Sequence, residues 1–143
     1  MSAPEVTTAL LKALNKRDKY DFILLNFANC DLVGHSGDFN AVVKAVETID
    51  QCLTKIVPKA LQEGYDVILT ADHGNAEFMK YNNGDGCPAH TLNNVICILI
   101  TKEGKNLKLK KTKTLGLKDI APTVLQLMEI KQPKEMTGKS LIK

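Results

Sequence analysis

Three short, nearly continuous apolar runs constrain the fold of this chain more than any other feature. They are residues 22–27 (FILLNF), residues 65–70 (YDVILT) and residues 95–100 (VICILI). Strands that are covered on both faces have this pattern, which is typical of parallel sheets. An amphipathic stretch at residues 39–60 separates the first two runs, and a strand, helix and strand at this spacing predict a right-handed crossover. The sequence therefore predicts an α/β fold with a mostly parallel sheet flanked by helices.

Local signals indicate where the helices begin and end. Residues 2–5 (SAPE) have the spacing of a capping box with a proline in the first turn, which predicts a helix at the start of the sequence. Asp38 is a good N-cap for a long helix, which Pro58 should bend or restart and Gly64 should stop. A shorter helix is predicted over residues 119–128.

Composition and charge exclude several classes of protein. The 143 residues are 44% hydrophobic, which suits one core and excludes a disordered tail. No apolar run approaches membrane-spanning length, no charged-then-apolar leader is present and the four cysteines form no C-x-x-C pair, so we expect a soluble cytoplasmic chain without a membrane partner.

The net charge is only +3, and the seven lysines within residues 102–118 lack interleaved aromatics. We therefore expect no nucleic-acid partner, and the alternation of Leu107 and Leu109 with lysines predicts a protected edge strand.

All three histidines lie in loops that follow or precede the apolar runs. Asp31 and His35 are four residues apart in the first loop, Asp72 and His73 are adjacent in the second, and His90 lies in the third. The first two loops follow predicted strands, which is where open parallel sheets bind ligands. Two carboxylates and three imidazoles suit Mn, Zn or Fe. On residue pattern alone, a metal site and an ordinary set of loop caps and surface hydrogen bonds are equally open.

Four separated stretches carry a resemblance to a known family. They read NFANCDLVGHSG at residues 26–37, TADHGNAE at residues 70–77, AHT at residues 89–91, and LKDIAPTVL at residues 117–125 with EMTGKSLI at residues 135–142. In this order they resemble the C-terminal part of cofactor-independent, metal-dependent phosphoglycerate mutase, a family of the alkaline phosphatase superfamily. The resemblance extends along the whole chain and implies an alkaline phosphatase-like domain.

The resemblance implies a site for two divalent metal ions and no organic cofactor. Asp31, His35 and His90 are similar to the three protein ligands of one ion, and Asp72 with His73 to two ligands of its neighbour. Manganese is usual in the family, with Mg, Co and Zn as alternatives. The family interconverts 2-phosphoglycerate and 3-phosphoglycerate in glycolysis and gluconeogenesis through a phosphoserine, and two metal ions suit such an in-line displacement.

The chain also departs from the family by omission. Family members are several times longer, and their N-terminal part carries the nucleophilic serine, a further metal-binding aspartate and an inserted domain whose arginines hold the glycerate. The only serines here are Ser2, Ser36 and Ser140, and the only arginine is Arg17. We assign Ser36 a turn role and assign no catalytic residue. Residues 1–143 are thus expected to be the C-terminal part of the metal-binding domain, without the nucleophile-bearing segment and the inserted substrate domain.

Several expectations follow from an incomplete domain. The isolated chain should be an inactive fragment, and phosphoglycerate is the expected partner only of the complete enzyme. Uncovered apolar faces favour association, so the fragment should bind either the missing N-terminal half or further copies of itself. A non-catalytic metal-binding or assembly module of the same fold and half of a related phosphatase are the alternatives. The runs at residues 119–123 and 135–141 favour the mutase, because they resemble it more specifically than the shared metal motifs do. Residues 82–86 (NNGDG) predict a mobile turn that could cover the metal site.

Overall fold

A computed structural model describes residues 2–16, 20–102, 107–111 and 115–143. Arg17, the only arginine of the sequence, and two of the seven lysines within residues 102–118, Lys105 and Lys113, lie outside the described residues. The described elements, in chain order, are helices α1 (Ala3–Leu14), α2 (Asn29–Gly34) and α3 (Phe39–Gln62), strands β1 (Val67–Thr70) and β2 (Cys97–Ile100), a 3-10 turn (Leu117–Asp119) and helix α4 (Ile120–Leu127). None of the described helices has the length and apolar character that crossing a membrane requires.

The long helix α3 begins and ends as its sequence predicts. The Asp38 carboxylate accepts the backbone N–H of Ala41 at 3.1 Å, which is the expected N-cap bond. Pro58 lies inside the helix and does not interrupt it. After the helix, Gly64 takes a φ of +84°, and the N–H of Tyr65 donates to the carbonyl of Ala60. This is the Schellman arrangement that glycine makes possible at a helix C-terminus.

Helix α1 forms where it was predicted but without the predicted capping bond. Ser2 is at the N-cap, its carbonyl accepts the N–H of Val6, and its side chain makes no cap bond. The helix packs on α3 around a buried cluster of Ala3, Cys52 and Ile56. Leu25 and Phe27 pack against the same cluster, so the extended segment at residues 22–27 lies against the two helices.

The sheet is smaller than predicted, and its pairing differs. The strands predicted in the second and third apolar runs are confirmed as β1 and β2. They pair antiparallel, from Val67 opposite Ile100 to Thr70 opposite Cys97. Residues 22–27 form no strand within the described part of the chain, and Phe22 and Leu24 are 52% and 84% exposed. The parallel pairing is therefore absent among the described strands. The physical reason is that an apolar run indicates burial but not strand direction, and residues 71–96 return from β1 to β2 without the helix that a parallel crossover needs.

Buried polar groups attach the C-terminal tail to the start of α4. The Asp119 carboxylate accepts the backbone N–H groups of Gly116 and Lys139, both at 2.8 Å. The Thr123 hydroxyl donates to the Asp119 carbonyl at 2.6 Å and accepts the N–H of Leu141 at 2.8 Å. We call these contacts the C-terminal clip. Beyond it, the predicted lysine-protected strand is reduced to a single bridge between Leu109 and Ile142.

Candidate metal centre

Asp31 and His35 are brought together by one turn of helix. The sequence suggested a flexible loop here, but residues 29–34 form α2, and the N–H of His35 donates to the Asp31 carbonyl at 3.1 Å. Side chains four residues apart lie on the same face of a helix. Asp31 Oδ1 therefore lies 3.3 Å from His35 Nε2.

His90 completes a group of three donor atoms. Its Nε2 lies 2.8 Å from Asp31 Oδ1 and 3.2 Å from His35 Nε2. Ligands about 2.0–2.1 Å from a tetrahedral ion lie roughly 3.3 Å from one another. The carboxylate oxygen and the two imidazole nitrogens already have nearly this spacing, so the residues present fit a divalent metal ion.

The tautomer of His35 also suits a ligand. Its Nδ1 lies 2.7 Å from the carbonyl oxygen of Pro88. A carbonyl can only accept a hydrogen bond, so Nδ1 carries the proton and donates it. In the neutral ring Nε2 then holds the lone pair, and this atom lies beside Asp31 and His90, as in histidines that bind metals through one nitrogen while the other is hydrogen-bonded.

Asp72 and His73 lie beside this group rather than within it. The His73 ring stacks on that of His90, with centroids 3.8 Å apart, and its Nε2 lies 3.9 Å from Asp31 Oδ1. The Asp72 carboxylate is 3.7 Å from His73 Nε2, and its side chain is 72% exposed. In the part of the chain that is described, the side chains that could jointly hold one ion are those of Asp31, His35 and His90. All five predicted residues therefore meet in one region, but only three of them converge on a point.

The half-exposed donors are accessible from solvent. The side chains of Asp31, His35 and His90 are 35%, 46% and 48% exposed. Burial raises the pKa of the neighbouring Cys30 thiol, so in the metal-free chain this group stays protonated at neutral pH. A cleft of about 300 Å³ adjoins His90 and is lined by Phe78, Tyr81, Cys87, Ala89, His90, Thr91 and Asn93.

A turn forms within residues 82–86, as predicted. Lys80 and Gly86 form a bridge, and the N–H of Tyr81 donates to the carbonyl of Asp85. The chain then runs directly to Cys87 and to Pro88, whose carbonyl orients His35.

Two residues near the site had no role assigned from the sequence. Asn75 is 5% exposed, and its Nδ2 lies 3.5 Å from Asp31 Oδ1, while its Oδ1 has no partner in the described structure and packs against Gly34. A Cβ at position 34 would collide with this amide. Glu77 accepts hydrogen bonds from the loop that carries His73 and from the loop that carries His90. Both residues lie in the TADHGNAE motif, which was the only signal that could have drawn attention to them.

The comparisons with known proteins agree with this geometry. Residues 1–132 match the metalloenzyme superfamily, so the chain belongs to that superfamily. It is 51% identical over 144 residues to the 2,3-bisphosphoglycerate-independent phosphoglycerate mutase of Clostridium kluyveri, covering all of this chain and 27% of that enzyme. The enzyme of the same description from Moorella thermoacetica is 51% identical over 142 residues, which cover 99% of this chain and 26% of the relative. These relatives confirm the resemblance to phosphoglycerate mutase.

A solved structure confirms the fold class. The phosphoglycerate mutase of Leishmania mexicana, determined at low cobalt concentration, matches with a TM-score of 0.88 and 28% identity over 99% of this chain and 28% of that one. The α/β, alkaline phosphatase-like architecture is therefore that of an incomplete domain. The chain spans about a quarter of the length of the curated relatives it matches.

Proposed function

We propose that this chain is part of a 2,3-bisphosphoglycerate-independent phosphoglycerate mutase, an isomerase that interconverts 2-phosphoglycerate and 3-phosphoglycerate in glycolysis and gluconeogenesis. Residues 1–143 would form the C-terminal part of its metal-binding domain, in the cytoplasm. The observation that carries the proposal is the convergence of Asp31, His35 and His90 in a chain that is half identical to such mutases along its full length.

Asp31, His35 and His90 would hold one divalent ion, and Asp72 with His73 would contribute to a second. Their oxygen and nitrogen donors suit manganese, with Mg, Co and Zn as alternatives. A bound divalent ion lowers the pKa of an oxygen nucleophile and stabilises charge on phosphoryl oxygens. The chain's own contribution is to orient His35 through the Pro88 carbonyl and to leave its donors open to an incoming phosphate group.

The nucleophile and the groups that bind the glycerate would come from the remainder of the enzyme. The Ser36 hydroxyl donates to the Val33 carbonyl at 2.6 Å and accepts the N–H of Asp38 at 3.1 Å, which supports the turn role proposed for it. Ser140 accepts the N–H of Ile142. We therefore propose that the isolated chain binds metal but does not turn over phosphoglycerate.

A chimera tests this function directly. Residues 1–143 would replace the matching segment of the Clostridium kluyveri mutase, and interconversion of the two phosphoglycerates would be assayed with Mn²⁺. We expect activity that EDTA removes and that Asp31→Ala abolishes, whereas Asp50→Ala, an exposed change on α3, leaves it intact. The isolated chain should show no turnover. A folded chimera that binds Mn²⁺ but has no activity would contradict the proposal and favour a non-catalytic metal-binding module.

A further inference from the structure

Glu77 joins the two loops that carry His73 and His90. Its Oε2 accepts the backbone N–H of Asn75 at 2.7 Å, two residues after His73. Its Oε1 accepts the hydroxyl of Thr91, the residue after His90, and the Asn93 amide N–H at 3.0 Å. One carboxylate thus receives three hydrogen bonds, one from the first loop and two from the second.

The backbone around Glu77 is shaped for this connection. Gly74 and Thr91 form a bridge in which the Thr91 N–H donates to the Gly74 carbonyl at 2.8 Å. A Cβ at position 74 would collide with both the Thr91 hydroxyl and the Glu77 carboxylate. Glycine is therefore required for the two loops to approach as closely as they do, and the stacked rings of His73 and His90 lie directly beside this junction.

We propose that Glu77 is a positioning residue of the candidate metal centre, which sets the separation of the His73 and His90 loops and so keeps His90 Nε2 against Asp31. This inference rests on the proposed function, because it concerns the same donors. Glu77 makes none of its hydrogen bonds to the donor atoms themselves, so it acts through Asn75 and Thr91. Groups of this kind around a metal site orient the ligands and tune their affinity.

The three contacts favour a carboxylate over an amide. All three groups donate to Glu77, and a carboxylate can accept from all of them. A glutamine keeps the three contacts only if the Thr91 hydroxyl and the Asn93 amide both reverse their roles, and in its other orientation it turns its NH2 group towards the Asn75 N–H. The hydrogen bond from Thr91, together with weaker contributions from the backbone and from Asn93, also lowers the pKa of Glu77.

The test is a Co²⁺ titration of the full chain, followed by visible absorption, which reports both affinity and the geometry around the ion. We expect Glu77→Gln to weaken Co²⁺ binding by about 10–100-fold and to change the ligand-field spectrum. Glu47→Gln, the same change at an exposed position on α3, should leave both unchanged. Wild-type affinity and spectrum in Glu77→Gln would overturn the proposal.

A second pair of variants guards against simple loss of fold. Thr91→Val removes the hydroxyl that bonds to Glu77 and should weaken Co²⁺ binding, whereas Thr91→Ser keeps the hydroxyl and should restore it. If Glu77→Gln unfolds, this pair decides, and equal affinity of the two Thr91 variants would overturn the proposal.

A metal-free measurement separates this inference from the proposed function. In the apo chain, NMR resonances of the His73 and His90 imidazoles should shift in Glu77→Gln and not in Glu47→Gln. A wild-type chain that binds no Co²⁺ would contradict the metal-binding proposal, while unchanged imidazole resonances in Glu77→Gln would overturn the positioning role of Glu77 by themselves.

Discussion

Two carboxylates, Asp31 in the candidate metal centre and Asp119 in the C-terminal clip, have opposite surroundings. Asp119 is 3% exposed and accepts two backbone N–H groups. The Asp31 side chain is 35% exposed and faces two imidazoles. A carboxylate whose acceptors are satisfied by buried backbone stabilises the fold, whereas one that shares a half-exposed cluster with imidazoles can exchange a partner for an ion.

The largest effect should come from Asp31→Ala. It removes the oxygen that lies between His35 and His90, so Mn²⁺ affinity measured by calorimetry should fall by at least about 100-fold. Because the site is half-exposed, the free energy of unfolding should stay within about 1 kcal/mol of wild type. A large loss of stability in Asp31→Ala with unchanged Mn²⁺ affinity would contradict this, because Asp31 would then stabilise the fold and not bind the ion.

Asp119→Ala should have the complementary effect. It leaves the N–H groups of Gly116 and Lys139 without their acceptor and should lower the free energy of unfolding by about 2–3 kcal/mol in urea denaturation. The Mn²⁺ affinity of the folded variant should be that of wild type. An unchanged unfolding midpoint would show that the C-terminal clip contributes nothing to stability.

Gly34→Ala tests the packing behind Asp31. The new methyl group would collide with the Asn75 amide, and the displacement should cost about 1–2 kcal/mol of stability and weaken Mn²⁺ binding. Gly84→Ala is a useful contrast, because nothing lies near a Cβ there, although its φ of +92° strains any side chain. Its Mn²⁺ affinity should be unchanged. Equal Mn²⁺ affinities in the two variants would show that displacing the Asn75 amide does not affect the metal centre.

The smallest effect is a dependence of stability on pH. The N–H groups of Lys139 and Gly116 hold the pKa of Asp119 below its usual range. Its contribution is therefore fully present above the unfolded pKa of about 3.9 and is lost as the pH falls through the lower folded value. Above the unfolded pKa, the free energy of unfolding of Asp119→Asn should depend on pH as that of wild type does. Below the unfolded pKa, it should fall less steeply with decreasing pH than that of wild type. An identical acid limb in the variant would contradict this assignment.

The sequence was sufficient for local features and insufficient for long-range ones. The spacing of Asp31 and His35 predicted that their side chains meet, even though the segment is a helix and not a loop, because both structures can bring residues four apart together. The parallel direction predicted for the sheet was wrong for β1 and β2, because an apolar run indicates burial and not strand direction. Glu77 and Asp119 were equally hidden as connectors, because their partners Thr91 and Lys139 lie 14 and 20 residues away and no local pattern links them.

The central claim is that Asp31, His35 and His90 together hold one divalent ion. The most direct measurement is a Mn²⁺ titration of the chain followed by EPR, comparing wild type with His90→Ala and Asp72→Ala. The account predicts one tightly bound Mn²⁺ per wild-type chain, retained in Asp72→Ala and lost in His90→Ala. Tight binding that survives His90→Ala, or that disappears equally in both variants, would contradict it.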